Sequence, residues 1–285
     1  MSRLTLAITL SGLWRFTTEA IESLHQCVVV PLQREHDVRV FIHAWADRAP
    51  PRDEVAFVES RLPVSELQFE PLGVLAGSAF DGSVHPHRDR YKSQWEGVAC
   101  ACDLVIRCVK PCAILRTRMD LVYLTPLRLP RIAKANEIYI PPVEGHYDTP
   151  FDPSIVNDQM AFGSLPVMQK YMTLARRRTA SQWSVIENRS RHQASRDHRL
   201  GELKGVEGPL RECLLDEGIS VRRLDVFYRL QRQAEAPKQR FCATVPIWMY
   251  GRAPNRWSPW LINRSFPVWN CIRALGNKAT AATNV

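Results

Sequence analysis

The chain has 285 residues, with 38 Lys and Arg against 29 Asp and Glu, a formal charge of +9. Apolar residues form 45% and charged residues 24%, the balance of a folded chain rather than a disordered one. The longest apolar stretches, Leu4–Leu10 and Cys27–Leu32, fall far short of the roughly 20 residues a bilayer span needs, and Met1-Ser2-Arg3 leads into a strand-like segment without a signal-peptide cleavage site.

In chain order, Leu4–Leu10 alternates with period two and predicts a strand ending at Ser11-Gly12. Thr17 or Thr18 caps a helix with Glu19 and Glu22 in its early turns and Ile21, Leu24 and Val28 on one face; Pro31 is expected to end or kink it. Asp37–His43 predicts a second strand, completing a βαβ unit with a right-handed crossover. A helix over Glu54–Arg61 and an extended segment over Leu67–Phe69 follow, then a polar loop over Asp81–Asp89.

Trp95, Val98, Ala99, Cys102, Val105, Ile106 and Val109 recur at helical spacing up to Pro111. Strands are expected at Ala113–Arg118 and Glu137–Ile140, a loop to about Asn157, an apolar strand after Asp158, and a helix over Pro166–Ala175. Ile186–Gly205 is polar and basic and reads as a mobile loop or a weakly held helix. Leu210–Leu215 is helical, Ile219–Leu224 strand-like, and Val226–Leu230 an extension of that strand. The expected organisation is a single α/β domain over residues 1–232 and an irregular Pro-, Trp- and Arg-rich extension over 233–285, with Trp248, Trp257, Trp260 and Trp269.

Eight cysteines in a chain of this length do not need to form a disulfide framework. Cys100, Cys102, Cys108 and Cys112 are spaced C-x-C, C-x5-C and C-x3-C, which does not match the paired knuckles of structural zinc sites. Reduced thiols in a cytoplasmic compartment are expected. The basic excess gathers at Arg176-Arg177-Arg178, Arg189–His192, Arg196 and Arg222-Arg223. It suits nucleic acid, anionic lipid or a phosphorylated small molecule, or simply a solvated surface. No aromatic residues interleave with these runs as a stacking platform requires, so no specific nucleic acid is expected.

In open α/β sheets ligands collect beyond the carboxyl ends of the strands. There the sequence puts Ser11-Gly12 and Arg15, a turn and a cation that could receive phosphate oxygens. His43 and Trp45 end the second strand and could line a pocket for a base or sugar ring, Trp45 capping the core being the alternative. Alternation puts Arg116, Arg118 and Asp120 on one face near a strand end, which suits a diphosphate with a metal held by the carboxylate, or else an internal Arg–Asp salt bridge. In Asn157–Ser164, Asp158 could act as a general base or only cap a turn.

The ordered blocks S-G-x-x-R, V-F-I-H-x-W, R-T-R-x-D and N-D-x-x-A-x-G-S, at Leu6–Arg15, Val38–Trp45, Ser93–Tyr123 and Val156–Tyr171, resemble GT-A-type glycosyltransferases, nearest those related to the WavE lipopolysaccharide-synthesis and viral or capsular glycan-building enzymes. A weaker echo runs through Glu207–Val221.

The resemblance implies a Rossmann-like, mixed but mainly parallel sheet flanked by helices. It also implies a nucleotide-diphosphate sugar as donor, a glycan or lipid-linked acceptor, and Mn2+ or Mg2+ held by a D-x-D motif. Asp120 matches the last Asp of that motif, while Arg118 stands where the first would be. Ser11, Gly12 and Arg15 fall at the nucleotide end, and His43, Trp45, Arg116, Arg118 and Asn157 are grouped with them as donor-binding residues. Asp158 falls at the acceptor hydroxyl or donor sugar, as base in an inverting reaction or as orienting group in a retaining one. The Trp-rich tail suits peripheral contact with a membrane carrying a lipid-linked acceptor, packing against the catalytic domain being the alternative. The other functional class is a non-catalytic basic module on nucleic acid or anionic membrane.

Overall fold

A computed structural model describes residues 3–15, 17–46, 49–71, 86–130, 133–142, 156–196 and 207–231. The chain divides into two units, Met1–Glu144 with Phe151–Ala234, and Gly145–Pro150 with Glu235–Val285. The second lies outside the described residues, and with it the tail of tryptophans expected at 233–285.

The first unit opens with β1 (Thr5–Leu13), whose alternation buries Leu6, Ile8 and Leu10 on one face and Ala7 on the other. Helix α1 (Thr18–Leu24) is capped by Thr17, whose hydroxyl accepts from the Ala20 N–H, a contact worth about 1 kcal/mol. Pro31 does not stop this helix. A π-helical turn over His25–Val29 widens the coil ahead of the proline ring, and α2 (Val30–Gln33) carries on through it. Strand β2 (Asp37–Trp45), helix α3 (Arg52–Arg61) and strand β3 (Val64–Glu70) complete the first half.

The second half begins with α4 (Pro86–Cys108). Pro86–Asp89, expected in a loop, are helical: a proline suits the first turn, where its missing N–H has no partner to lose. Residues 81–85 of that expected loop lie outside the described residues. Next come β4 (Ala113–Thr117), β5 (Leu121–Tyr123), β6 (Glu137–Ile140), β7 (Ala161–Ser164) and α5 (Leu165–Met172).

Helix α6 (Ala180–Arg196) takes the helical of the two alternatives expected from Ile186 onward, and residues 197–205 of that stretch lie outside the described residues. It is held by buried Ile186 and by Arg189, which pairs with Asp216 at the end of α7 (Glu207–Asp216). Strands β8 (Ser220–Arg223) and β9 (Tyr228–Leu230) are separate elements rather than one extended strand.

Among the described residues the main sheet has the order β3-β2-β1-β4-β7-β6-β8, and β5 with β9 forms a separate antiparallel pair. The β1, β2, β3 and β4 pairings are parallel, β7 runs antiparallel to both β4 and β6, and β6 and β8 are parallel. The architecture is thus mixed α/β with a mostly parallel sheet flanked by helices, consistent with a Rossmann-like arrangement. One face is covered by α1, α2 and α3, the other by α4, α5 and α7. No helix among the described residues is long and apolar enough to cross a membrane.

Candidate functional site

The reversal of β7 decides the geometry. Because β7 runs antiparallel to β4, Arg116 sits opposite Ala161, and the loop entering β7 lies beside the carboxyl end of β4. Asp158, three residues before β7, is thereby brought to Arg118 and Asp120, which lie some forty residues earlier in sequence.

Strand β4 ends at Thr117, so alternation does not carry through to Asp120. A turn brings Arg118 to Asp120 instead, as the internal Arg–Asp salt bridge that was the alternative expectation, and Arg116 makes no hydrogen bond to either. Arg118 Nε donates to Asp120 Oδ1 at 2.8 Å and Nη2 to Oδ2 at 2.7 Å, a two-pronged pair in which Asp120 is only 3% exposed. Burial pulls the Arg118 pKa down, but the bonds to Asp120 and the charges of Asp120 and Asp158 outweigh it and raise it above the ordinary value. Asp158 is buried and accepts from Gln94 Nε2 at 2.6 Å.

Arg116 is wholly buried, and none of its three guanidinium nitrogens makes a well-aligned hydrogen bond among the described residues, its nearest polar neighbour being the Tyr171 hydroxyl. Its charge lies 5.7 Å from the Trp95 ring centre. The Tyr171 hydroxyl is pushed up to about 12 by burial, which the nearby Arg116 charge opposes and Asp158 reinforces. Thr9 and Ser11, on the same face of β1 as Ala7, also carry buried hydroxyls without partners among the described residues, as do the Trp95 indole nitrogen and the Tyr171 hydroxyl. A layer of unsatisfied polar groups therefore lies beneath α4 and α5 at the carboxyl ends of β1 and β4. Leaving such groups unpaired in an apolar core costs about 1–3 kcal/mol each, so their concentration sets this layer apart from the rest of the core.

The remaining expected residues divide. Ser11 and His43 are opposite each other on β1 and β2, and Gly12 pairs with Ala44. Gly12 has φ +132°, a backbone conformation that favours glycine, which accounts for the residue without a ligand. Arg15 is half-buried just past β1. His43 and Trp45 are both buried with rings edge-to-face at 4.8 Å, and α4 covers them. Asn157 has its amide taken up internally: it donates to the Pro142 carbonyl at 3.1 Å and to the Tyr228 hydroxyl, and accepts from the Gln159 N–H at 2.7 Å. It shapes the loop that presents Asp158.

The divalent ion expected at Asp120 meets an unsuitable donor set. The motif offers one carboxylate instead of two, and Arg118 occupies both of its oxygens. An ion there would have to displace a guanidinium.

Gln94, Trp95 and Tyr171 were not anticipated as polar participants. The signal for Trp95 and Tyr171 was the apolar periodicity of their helices, which conceals what an indole N–H or a phenol can do at its far end. The described arginines of the basic clusters face carboxylates of the same chain: Arg176 pairs with Glu96 and Asp103, Arg177 and Arg178 with Glu217, Arg189 with Asp216, Arg222 with Glu137 and Arg223 with Asp225, while the side chains of Arg191, His192 and Arg196 lie outside the described residues. Comparison with protein-family models and with curated proteins finds no match to this chain.

Proposed function

We propose that the chain is a glycosyltransferase of the GT-A type, moving a sugar from a nucleotide-diphosphate donor to a hydroxyl of a glycan or lipid-linked acceptor. The observation that supports this reading is that the Arg118–Asp120 pair, the buried Arg116 and the buried Asp158 all lie at the junction where β4 ends and the chain enters β7. Strand ends of a mostly parallel sheet are where such ligands bind, and the blocks at Leu6–Arg15, Ser93–Tyr123 and Val156–Tyr171 include the adjacent strands β1, β4 and β7.

In this reading Arg116 and Arg118 stabilise the departing diphosphate, whose negative charge grows as the bond from the anomeric carbon to phosphate oxygen breaks. The acceptor oxygen forms the new bond to that carbon. In an inverting reaction its proton passes to an Asp158 carboxylate oxygen; in a retaining one Asp158 orients the sugar. Asp120 holds Arg118 in position through the two-pronged pair, and no step is assigned to a divalent ion.

Calorimetry of the full chain with UDP, GDP, ADP and CDP, in EDTA and in Mn2+, tests the reading. Binding of one nucleoside diphosphate is expected in both conditions; no binding to any of them overturns it.

A further inference from the structure

We propose that His43, Glu70 and Cys100 form a zinc-binding site that ties the ends of β2 and β3 to α4. One nitrogen, one carboxylate oxygen and one sulfur from these three residues lie within 4.8 Å of one another. Tetrahedral zinc, with bonds of about 2.0–2.3 Å, spaces its ligands roughly 3.3–3.8 Å apart, so closure asks for a movement of about 1 Å.

The buried member of the trio gives the second observation. His43 is 0% exposed, and neither ring nitrogen makes a hydrogen bond among the described residues, although Nε2 lies 3.4 Å from Glu70 Oε1. Glu70 is the half-open side of the site, its carboxylate 26% exposed and held by Gln68 Nε2 at 2.7 Å.

Gly97 is what lets α4 come this close. A Cβ there would stand 2.7 Å from Trp45 Nε1 and 3.6 Å from His43 Nδ1. Cys100, nearly one turn on, shares that face of the helix. The charges also balance: Zn2+ with a thiolate, a carboxylate and a neutral imidazole sums to zero, which a half-buried place tolerates.

A cation already stands nearby. Arg176 Nη2 donates to Cys100 Sγ at 3.1 Å, but its charge is matched by Glu96 and Asp103. Zinc takes the thiolate, so ligation releases the Cys100 proton to solvent. A set of nitrogen, sulfur and oxygen selects zinc over Mg2+ or Ca2+, which take oxygen ligands. Three protein ligands leave one position for water.

The test is metal content of the full chain purified with zinc and dialysed, measured by plasma mass spectrometry, with Co2+ titration as an optical readout. The wild type is expected to retain about one equivalent and to show a thiolate-to-Co(II) charge-transfer band. Cys100→Ser is expected to lose the band and at least tenfold in affinity, His43→Gln to lose retention, and the control Cys102→Ser to keep both. Should His43→Gln fail to fold by circular dichroism, Cys100→Ser, which alters one half-buried atom, decides alone. Wild type without retained zinc, or Cys100→Ser retaining as much as wild type, overturns the proposal.

Discussion

Arg118 and Asp120 grip each other across the turn that follows β4, and Asp120 has no oxygen left outside that grip. Replacing Asp120 with Asn removes the charge that faces a half-buried guanidinium. The expected cost is about 1–3 kcal/mol of folding stability, measured by urea denaturation, since the Arg118 side chain keeps some water access. Because the carboxylate is engaged, donor affinity is expected to be the same in EDTA and in Mn2+. An increase of more than about tenfold on adding Mn2+ would show that the ion displaces Arg118.

Arg116 offers the sharpest separation of stability from function. Arg116 is a buried cation set against the Trp95 ring and the Tyr171 hydroxyl, with no well-aligned hydrogen bond among the described residues. Arg116→Met is expected to leave the melting temperature unchanged or raised, as replacing buried charges by apolar groups often does. The same variant is expected to weaken nucleoside-diphosphate binding by roughly tenfold or more, the worth of a charged hydrogen bond. Lost stability with intact binding would reverse both halves of this account.

Asp158→Asn keeps the size of the side chain and removes its basicity. If the reaction inverts, kcat is expected to fall by about 10² to 10⁴ with donor affinity little altered. Single-turnover kinetics beside calorimetry separates the two quantities, and a variant with normal kcat would remove Asp158 from the chemistry.

Glu137 sets an acid limit on the β6–β8 edge of the sheet. Its carboxylate accepts from Tyr139 Oη at 2.8 Å, from Lys134 Nζ at 3.2 Å and from Arg222 Nε at 3.0 Å, and these bonds, Tyr139 first, hold its pKa below the ordinary 4.5. A folded pKa below the unfolded one means the unfolded chain binds more protons as the solution is acidified. The contribution is therefore present above pH 4.5 and lost as the pH falls through the depressed value. Glu137→Gln is expected to flatten the stability profile in that range, as followed by denaturation at stepped pH. An unchanged slope would remove Glu137 as its source.

Much of this protein was legible from local pattern. The βαβ opening, the long helix through Trp95 and Val105, and the strand at Ala113 each follow from a periodicity that one segment carries by itself. Pro31 departs from expectation, and 186–196 settles on the helix of its two alternatives, for a shared reason: a neighbouring element compensates what the segment lacks. At Pro31 it is a widened turn, and in α6 it is Arg189 reaching Asp216.

By itself the sequence determined which residues alternate into the core, where helices are capped, and that Arg116, Arg118, Asp120 and Asp158 carry unusual polarity for their positions. Only the tertiary structure decided their partners. The antiparallel turn of β7 put Asp158 beside β4, the end of the strand at Thr117 let Arg118 fold back on Asp120, and Gly97 brought Cys100 of a helix against His43 and Glu70 of two strands. Local periodicity reports which face of one element is apolar. Chemistry between charged groups depends on distances of a few ångströms between elements, and these are set by how strands pair and how closely helices approach the sheet.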